Sequence, residues 1–129
     1  MKFVYIAVVY LILDLVWIQG MTPILYKSAF EGIQHSPLQF QTHYAILAYI
    51  VLLGVLYCIC RPLSKSESYK NRQWLAYALV GFALYSVYNL TNAAVFTEYP
   101  KKMIVIDTLW GTSAFALLGW LDTSSIGLY

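Results

Sequence analysis

The stretch Phe3–Gln19 reads FVYIAVVYLILDLVWIQ, and a single acid, Asp14, interrupts its apolar run. A bilayer-crossing helix needs about 20 mostly apolar residues, and this stretch reads as one such crossing. A second stretch, Met103–Leu121, reads the same way and carries Ile106-Asp107-Thr108-Leu109-Trp110-Gly111. In both, a tryptophan follows the acid three residues on: Trp17 after Asp14, Trp110 after Asp107. Neither stretch holds a lysine or arginine to neutralise its acid. A charged side chain at the centre of a membrane helix costs at least about 2.5–3.5 kcal/mol, so such acids face a bundle interior or a polar cavity. These two aspartates are the strongest pointers to function in the chain.

Working outward, two more stretches are apolar enough to cross: Tyr44–Cys60 and Trp74–Phe96. The composition agrees. Of 129 residues, 60% are hydrophobic and 11% charged, with a mean hydropathy of +0.64, whereas a soluble domain carries about 25% charged residues. The expected fold is an all-α membrane protein, one domain over residues 1–129. It is an antiparallel four-transmembrane-helix bundle with spans at about 3–19, 44–60, 74–96 and 103–121. Lys2 before an apolar core resembles a secretory leader, but no small-residue cleavage site follows, and Asp14 would be odd in such a core, so the first span is read as a retained helix. The net charge of +2 gives no reason to expect nucleic acid as a partner. Cys58 and Cys60, two apart on a helix, point in different directions and read as packing residues.

Between the first two spans, Pro23 and Pro37 bracket a longer connection. Leu25, Phe30 and Ile33 there can form one apolar face, with Lys27 and Glu31 at i,i+4. A short helix on the membrane surface and a plain loop both fit. Lysines and arginines fall unevenly across the links. Lys2, Arg61, Lys65, Lys70 and Arg72 make five on one side, against Lys27, Lys101 and Lys102, three on the other. That bias places both termini in the cytoplasm. Lys2, Tyr5, Tyr44, Trp74 and Trp120, near span ends, fit interfacial anchoring. The remaining tyrosines read mostly as packing and belt residues.

Helix rise fixes relative depth. Asp14 lies about six residues before the first span ends and Asp107 about four after the fourth begins, which puts both about 6–9 Å below the same membrane face. The third span adds Tyr85-Ser86-Val87-Tyr88-Asn89-Leu90-Thr91-Asn92. Tyr85, Asn89 and Asn92 share a face by their i,i+4 and i,i+3 spacing, and Asn92 lies at that same depth. The candidate binding layer is therefore Asp14, Trp17, Asn89, Asn92, Asp107 and Trp110. Tyr85, Tyr88, Thr91 and His43 are secondary candidates. Asn89-Leu90-Thr91 matches a glycosylation sequon, but a site inside a span is inaccessible. Amides and acids in membranes also serve as glue between helices, with the tryptophans as packing beside them. With no basic partner in the spans, at least one acid should carry a proton or a bound cation. The inner half of the helices reads as apolar.

Three patches resemble a family of small four-helix membrane proteins, domain of unknown function 2177. Leu13-Asp14-Leu15-Val16-Trp17 is similar to its L-D-x-x-W in the first helix. Tyr88-Asn89-Leu90-Thr91-Asn92-Ala93-Ala94 is similar to its Y-D-L-T-N-x-A in the third. Asp107-Thr108-Leu109-Trp110-Gly111-Thr112 is similar to its D-x-x-W-G-T in the fourth. Tyr26 fits a tyrosine of the family's segment after the first helix. The chain departs at Asn89, where the family commonly has an acid. The resemblance implies an integral membrane protein and brings no established reaction; the family's association with lipid-modifying enzymes implies a lipid connection.

Three functions fit these residues. A binding or transport protein would take up a proton, a cation or a small polar group in the polar layer. A lipid-acting, isomerase-like enzyme would use Asp14 or Asp107 as acid or base, with Asn92 orienting an apolar substrate. A structural subunit would use the layer as glue, as a homo-oligomer or with other membrane subunits. No glycine-rich phosphate loop, metal-ligand cluster or nucleophile–base arrangement is present in the sequence, so no cofactor and no metal are expected. His35 and His43 are isolated. The partners expected are the lipid bilayer and a proton, cation or lipid ligand.

Overall fold

The computed structural model describes residues 2–39 and 41–123. Four helices in it are long and apolar enough to cross a membrane. The first, α1 (Lys2–Met21), runs through a π-helical turn at Thr22–Tyr26 into α2 (Lys27–Gln34). The second, α3 (Thr42–Val55), likewise passes through a π turn at Leu56–Cys60 into α4 (Arg61–Ser64). The third and fourth are α5 (Gln73–Val95) and α6 (Lys101–Thr123). The anchoring expected of Lys2 concerns a side chain outside the described residues.

The hairpin α5–α6 is the frame. Its packing alternates large and small residues at a spacing of four on both helices. Tyr77 covers Gly119, Phe115 covers Gly81, and Tyr85 covers Gly111. Each step of four up α5 meets a step of four down α6, which fixes an antiparallel register. Glycine inside a helix is disfavoured against alanine by about 0.5–1 kcal/mol, so three on one packed face are there for space. α1 lies against this hairpin. Its Tyr10 meets Phe115 edge-on at 5.7 Å and bonds the Tyr85 hydroxyl at 2.9 Å. Ile6, Tyr10, Leu56, Cys60, Tyr77, Phe115 and Leu118 form the buried core of the spans.

α3 is the loosest helix, with no fully buried residue between Thr42 and Val55. It runs antiparallel to α1, as shown by Tyr49 meeting Asp14 and Phe3 meeting Tyr57. Phe3, Arg61 and Asp122 converge at one end of the bundle, so the start of α1 and the end of α6 share a side.

The connection after the first span is a helix and not a plain loop. Leu25 and Ala29 of this segment are buried against Tyr99 and Met103, with Phe30 and Ile33 packed around them. This is the amphipathic face expected from the sequence, turned onto the end of the bundle. The helix does not stop at Gly20 as the apolar pattern predicts. A π turn at Pro23 redirects it, one of the standard causes of a bend. Beyond α2, His35 adopts the left-handed conformation (φ 57°) that ends the helix. Glu31 then ties back the following strand of chain by accepting from the Leu38 N–H at 2.9 Å.

The register yields a prediction. A methyl group at Gly111 would overlap the Tyr85 ring, whereas at Gly54 it meets nothing within 4 Å. Gly111→Ala should lower stability by about 1–3 kcal/mol, the range for overpacking. Gly54→Ala should be neutral or slightly stabilising. Thermal unfolding in detergent compares the two; equal effects would contradict the packing described.

Candidate functional site

Asp14 and Asp107 are both buried, each at 7% exposure. Both line one cavity of ≈ 510 Å³ near the α2 end of the bundle. Six aromatic side chains line its wall: Trp17, Tyr26, Phe30, Tyr85, Tyr88 and Trp110. Ile18, Thr22 and Met103 complete the sides, and Leu38 and Gln39, from the segment after α2, reach its rim. Among the described residues, no lysine, arginine or histidine lines it.

The two D-x-x-W turns serve each other. Trp110, one turn after Asp107, donates its indole N–H to Asp14 Oδ1 at 3.3 Å. Trp17, one turn after Asp14, donates to the Tyr26 hydroxyl at 2.7 Å, and Tyr26 donates to Asp107 Oδ1 at 2.5 Å. The two indoles stack, 4.5 Å between centroids and 5° from parallel. In a straight helix, residues nine apart lie on opposite sides and about 13.5 Å along the axis. The π turn at Thr22–Tyr26, which contains Pro23, departs from that regular spacing, and beyond it Tyr26 meets both Trp17 and Asp107.

Every oxygen of the two acids accepts a bond. Asp14 Oδ2 takes the Tyr49 hydroxyl at 2.6 Å. Asp107 Oδ2 takes the Asn89 amide N–H at 2.7 Å. Asn89, fully buried, also donates to the Tyr85 carbonyl at 2.7 Å, and its own carbonyl accepts from Tyr99 at 2.5 Å. Burial pushes the Tyr99 phenol above its ordinary value, so it stays a donor at neutral pH. Tyr99 and the Tyr85 carbonyl fix the Asn89 amide's orientation, and Trp17 fixes that of Tyr26. Both chains of bonds end on Asp107 as acceptor. Where the family pattern has an acid, this chain uses an amide N–H to bond Asp107, which a carboxyl could do only by carrying a proton.

The structure brings together Asp14, Trp17, Asn89, Asp107, Trp110 and Tyr85. Tyr88 lines the cavity although half-exposed. Asn92 belongs to the next cavity, with Phe30, Leu38, Phe96 and Tyr99, and lies against the hydroxyls of Tyr88 and Tyr99. Thr91 is exposed and spends its hydroxyl on the Val87 and Tyr88 carbonyls of its own helix. His43 is exposed on α3 and stacks on Tyr44, outside the cavity. Helical depth alone admitted these two; their facing excludes them from the cavity wall.

Three tyrosine donors carry no motif in the sequence, and a fourth, Tyr26, is singled out there by the family resemblance alone. Tyr26, Tyr49, Tyr77 and Tyr99 each donate to a buried acid or amide, so they are not simply belt residues. The inner half of the bundle is also less apolar than it reads. Asp122, buried at the far end, accepts from Tyr77 at 2.5 Å and pairs with Arg61 at 3.7 Å. Arg61 lies over the Phe3 and Tyr57 rings at 5.8 and 5.6 Å.

Four helices long and apolar enough to cross a membrane define an integral, multi-pass membrane protein. The chain belongs to the family described as "Predicted membrane protein (DUF2177)", which matches residues 1–124. No curated protein and no solved structure matches it.

The bond pattern separates the two acids. At Asp107 an amide would turn its own N–H₂ toward either the Asn89 N–H or Tyr26, whose oxygen already accepts from Trp17. At Asp14 an amide can accept from Trp110 and donate to the Tyr49 oxygen, which can reverse its role. Asp107→Asn should therefore cost about 1–3 kcal/mol, the range for a buried group left without a partner, and Asp14→Asn under about 1 kcal/mol. Unfolding of both variants in detergent should rank them in that order.

Proposed function

We propose that the protein binds a small organic cation between Asp14 and Asp107, in exchange with protons. The observation that carries this reading is the charge balance of the cavity. Two buried carboxyls face one space, and only neutral donors reach them. The third buried acid, Asp122, has Arg61; the two at the cavity have no such partner. Positive charge must then come from outside the chain, as a proton or a cation, because an unpaired buried charge costs several kcal/mol.

Size and wall chemistry favour an organic ion over a metal. A volume of ≈ 510 Å³ lies in the usual range for small-molecule pockets, about 300–1,000 Å³, and is many times the roughly 30 Å³ share of one water. Indole and phenol rings attract cations by about 2 kcal/mol each when desolvated, and rings around an ammonium are the familiar recognition mode. Hydrated metal ions gain little from such walls. The charge bias of the links places the termini in the cytoplasm, with the cavity toward the opposite face.

Tetramethylammonium is the simplest probe. It should quench the stacked Trp17–Trp110 pair on titration in detergent. Affinity should fall as pH is lowered, because protons compete for the same carboxyls. Asp14→Asn, the better tolerated change, should weaken binding at least about tenfold, or 1.4 kcal/mol. Absence of saturable binding, or binding indifferent to both pH and Asp14→Asn, would contradict the proposal.

A further inference from the structure

Asp14 is shared between two cavities. On its other side lies a cleft of ≈ 710 Å³ between α1 and α3. The α3 wall of that cleft is Ala45, Ala48, Tyr49 and Leu52, at i, i+3, i+4 and i+7 and hence one helical face. Two of the four are alanine, which leaves a gap where larger residues would close α3 onto α1. The facing wall holds Leu15, which is half-exposed, and Ile18, with Gln19, Thr22 and Pro23 further along the chain. Tyr49 projects across the gap and donates to Asp14 at 2.6 Å. The cleft thus has a mainly apolar lining and a carboxyl that also lines the aromatic cavity.

We propose that this cleft holds the alkyl chain of a cationic amphiphile whose ammonium head lies between Asp14 and Asp107. This rests on the organic-cation reading of the aromatic cavity and names the class of ligand: a single-chain amine or quaternary ammonium. Charge complementarity with Asp14 selects the head. The length of the Ala45–Leu52 face, about 10 Å of helix rise, suits a chain of medium length. The ligand enters from the bilayer between α1 and α3, and the loose packing of α3 provides that opening.

The test uses the full chain in lipid nanodiscs with a decyltrimethylammonium carrying a diazirine in its chain. After photolysis, labelled positions are mapped by mass spectrometry. Label should concentrate on Leu15, Ala48 and Leu52 at least fivefold over other lipid-facing positions. Excess tetramethylammonium should displace it, and both Asp14→Asn and Ala48→Phe should remove it. Uniform labelling of the lipid-facing surface, undisplaced by a tetramethylammonium that does bind, would overturn the chain site and leave the head site standing. Cross-linked dimers joined through the Ala45/Ala48 face would overturn it in favour of a second copy of the chain. Tetramethylammonium that fails to bind at all would remove the cation site and this proposal with it.

Discussion

The exchange of partners between two D-x-x-W turns is the constraint on which the rest of the site depends. Each acid is held partly by the tryptophan that follows the other, directly for Asp14 and through Tyr26 for Asp107. The two indoles stack on each other. Neither tryptophan bonds the acid of its own turn: Trp110 donates to Asp14, and Trp17 donates to Tyr26. α1 and α6 must therefore be antiparallel and matched in depth for either acid to be tolerated. The glycine-spaced register of α5 and α6 sets that depth from one side. The Pro23 turn sets it from the other by returning Tyr26 to the bundle.

The chain treats its three buried acids differently. Asp122, at the end holding the first and last helices, is paired with an arginine flanked by two aromatic rings. That arrangement compensates charge within the protein and ties α4 to α6. Asp14 and Asp107 receive phenol, indole and amide donors instead. Neutral donors stabilise and orient a carboxyl without supplying a positive charge, and this supports the proposed cation site. An architecture that needed only glue could have used amides alone, as Asn89 and Asn92 show this chain can.

Much of this was legible in the sequence. The four spans follow from apolar run length, and the shared depth of Asp14 and Asp107 follows from helix rise alone. The face of Leu25, Phe30 and Ile33 allows a short helix after the first span but leaves a plain loop equally open, and the structure has the helix. The hydroxyl network was not legible. A tyrosine in a span looks the same to periodicity whether its ring packs or its hydroxyl reaches an acid, and Tyr49 and Tyr77 show no pattern that would tell. Tyr26 is marked by the family resemblance, but its bond to Trp17 is not legible, because regular helical geometry puts the two on opposite sides and the π turn interrupts that geometry. Asp122 lies at a span end, where an acid near Arg61 reads as an ordinary interfacial residue. Depth without facing over-included Thr91 and His43.

The central claim is that Asp14 and Asp107 supply the negative charge that draws a cation into the aromatic cavity. Infrared difference spectroscopy on the protein in bilayers, with and without tetramethylammonium, tests this at the carboxyls themselves. The account predicts that cation addition removes a protonated-carboxyl absorption and raises a carboxylate one, and that Asp14→Asn and Asp107→Asn together abolish the difference. A carboxyl spectrum unchanged by the cation, or a change that persists in the double variant, would contradict it.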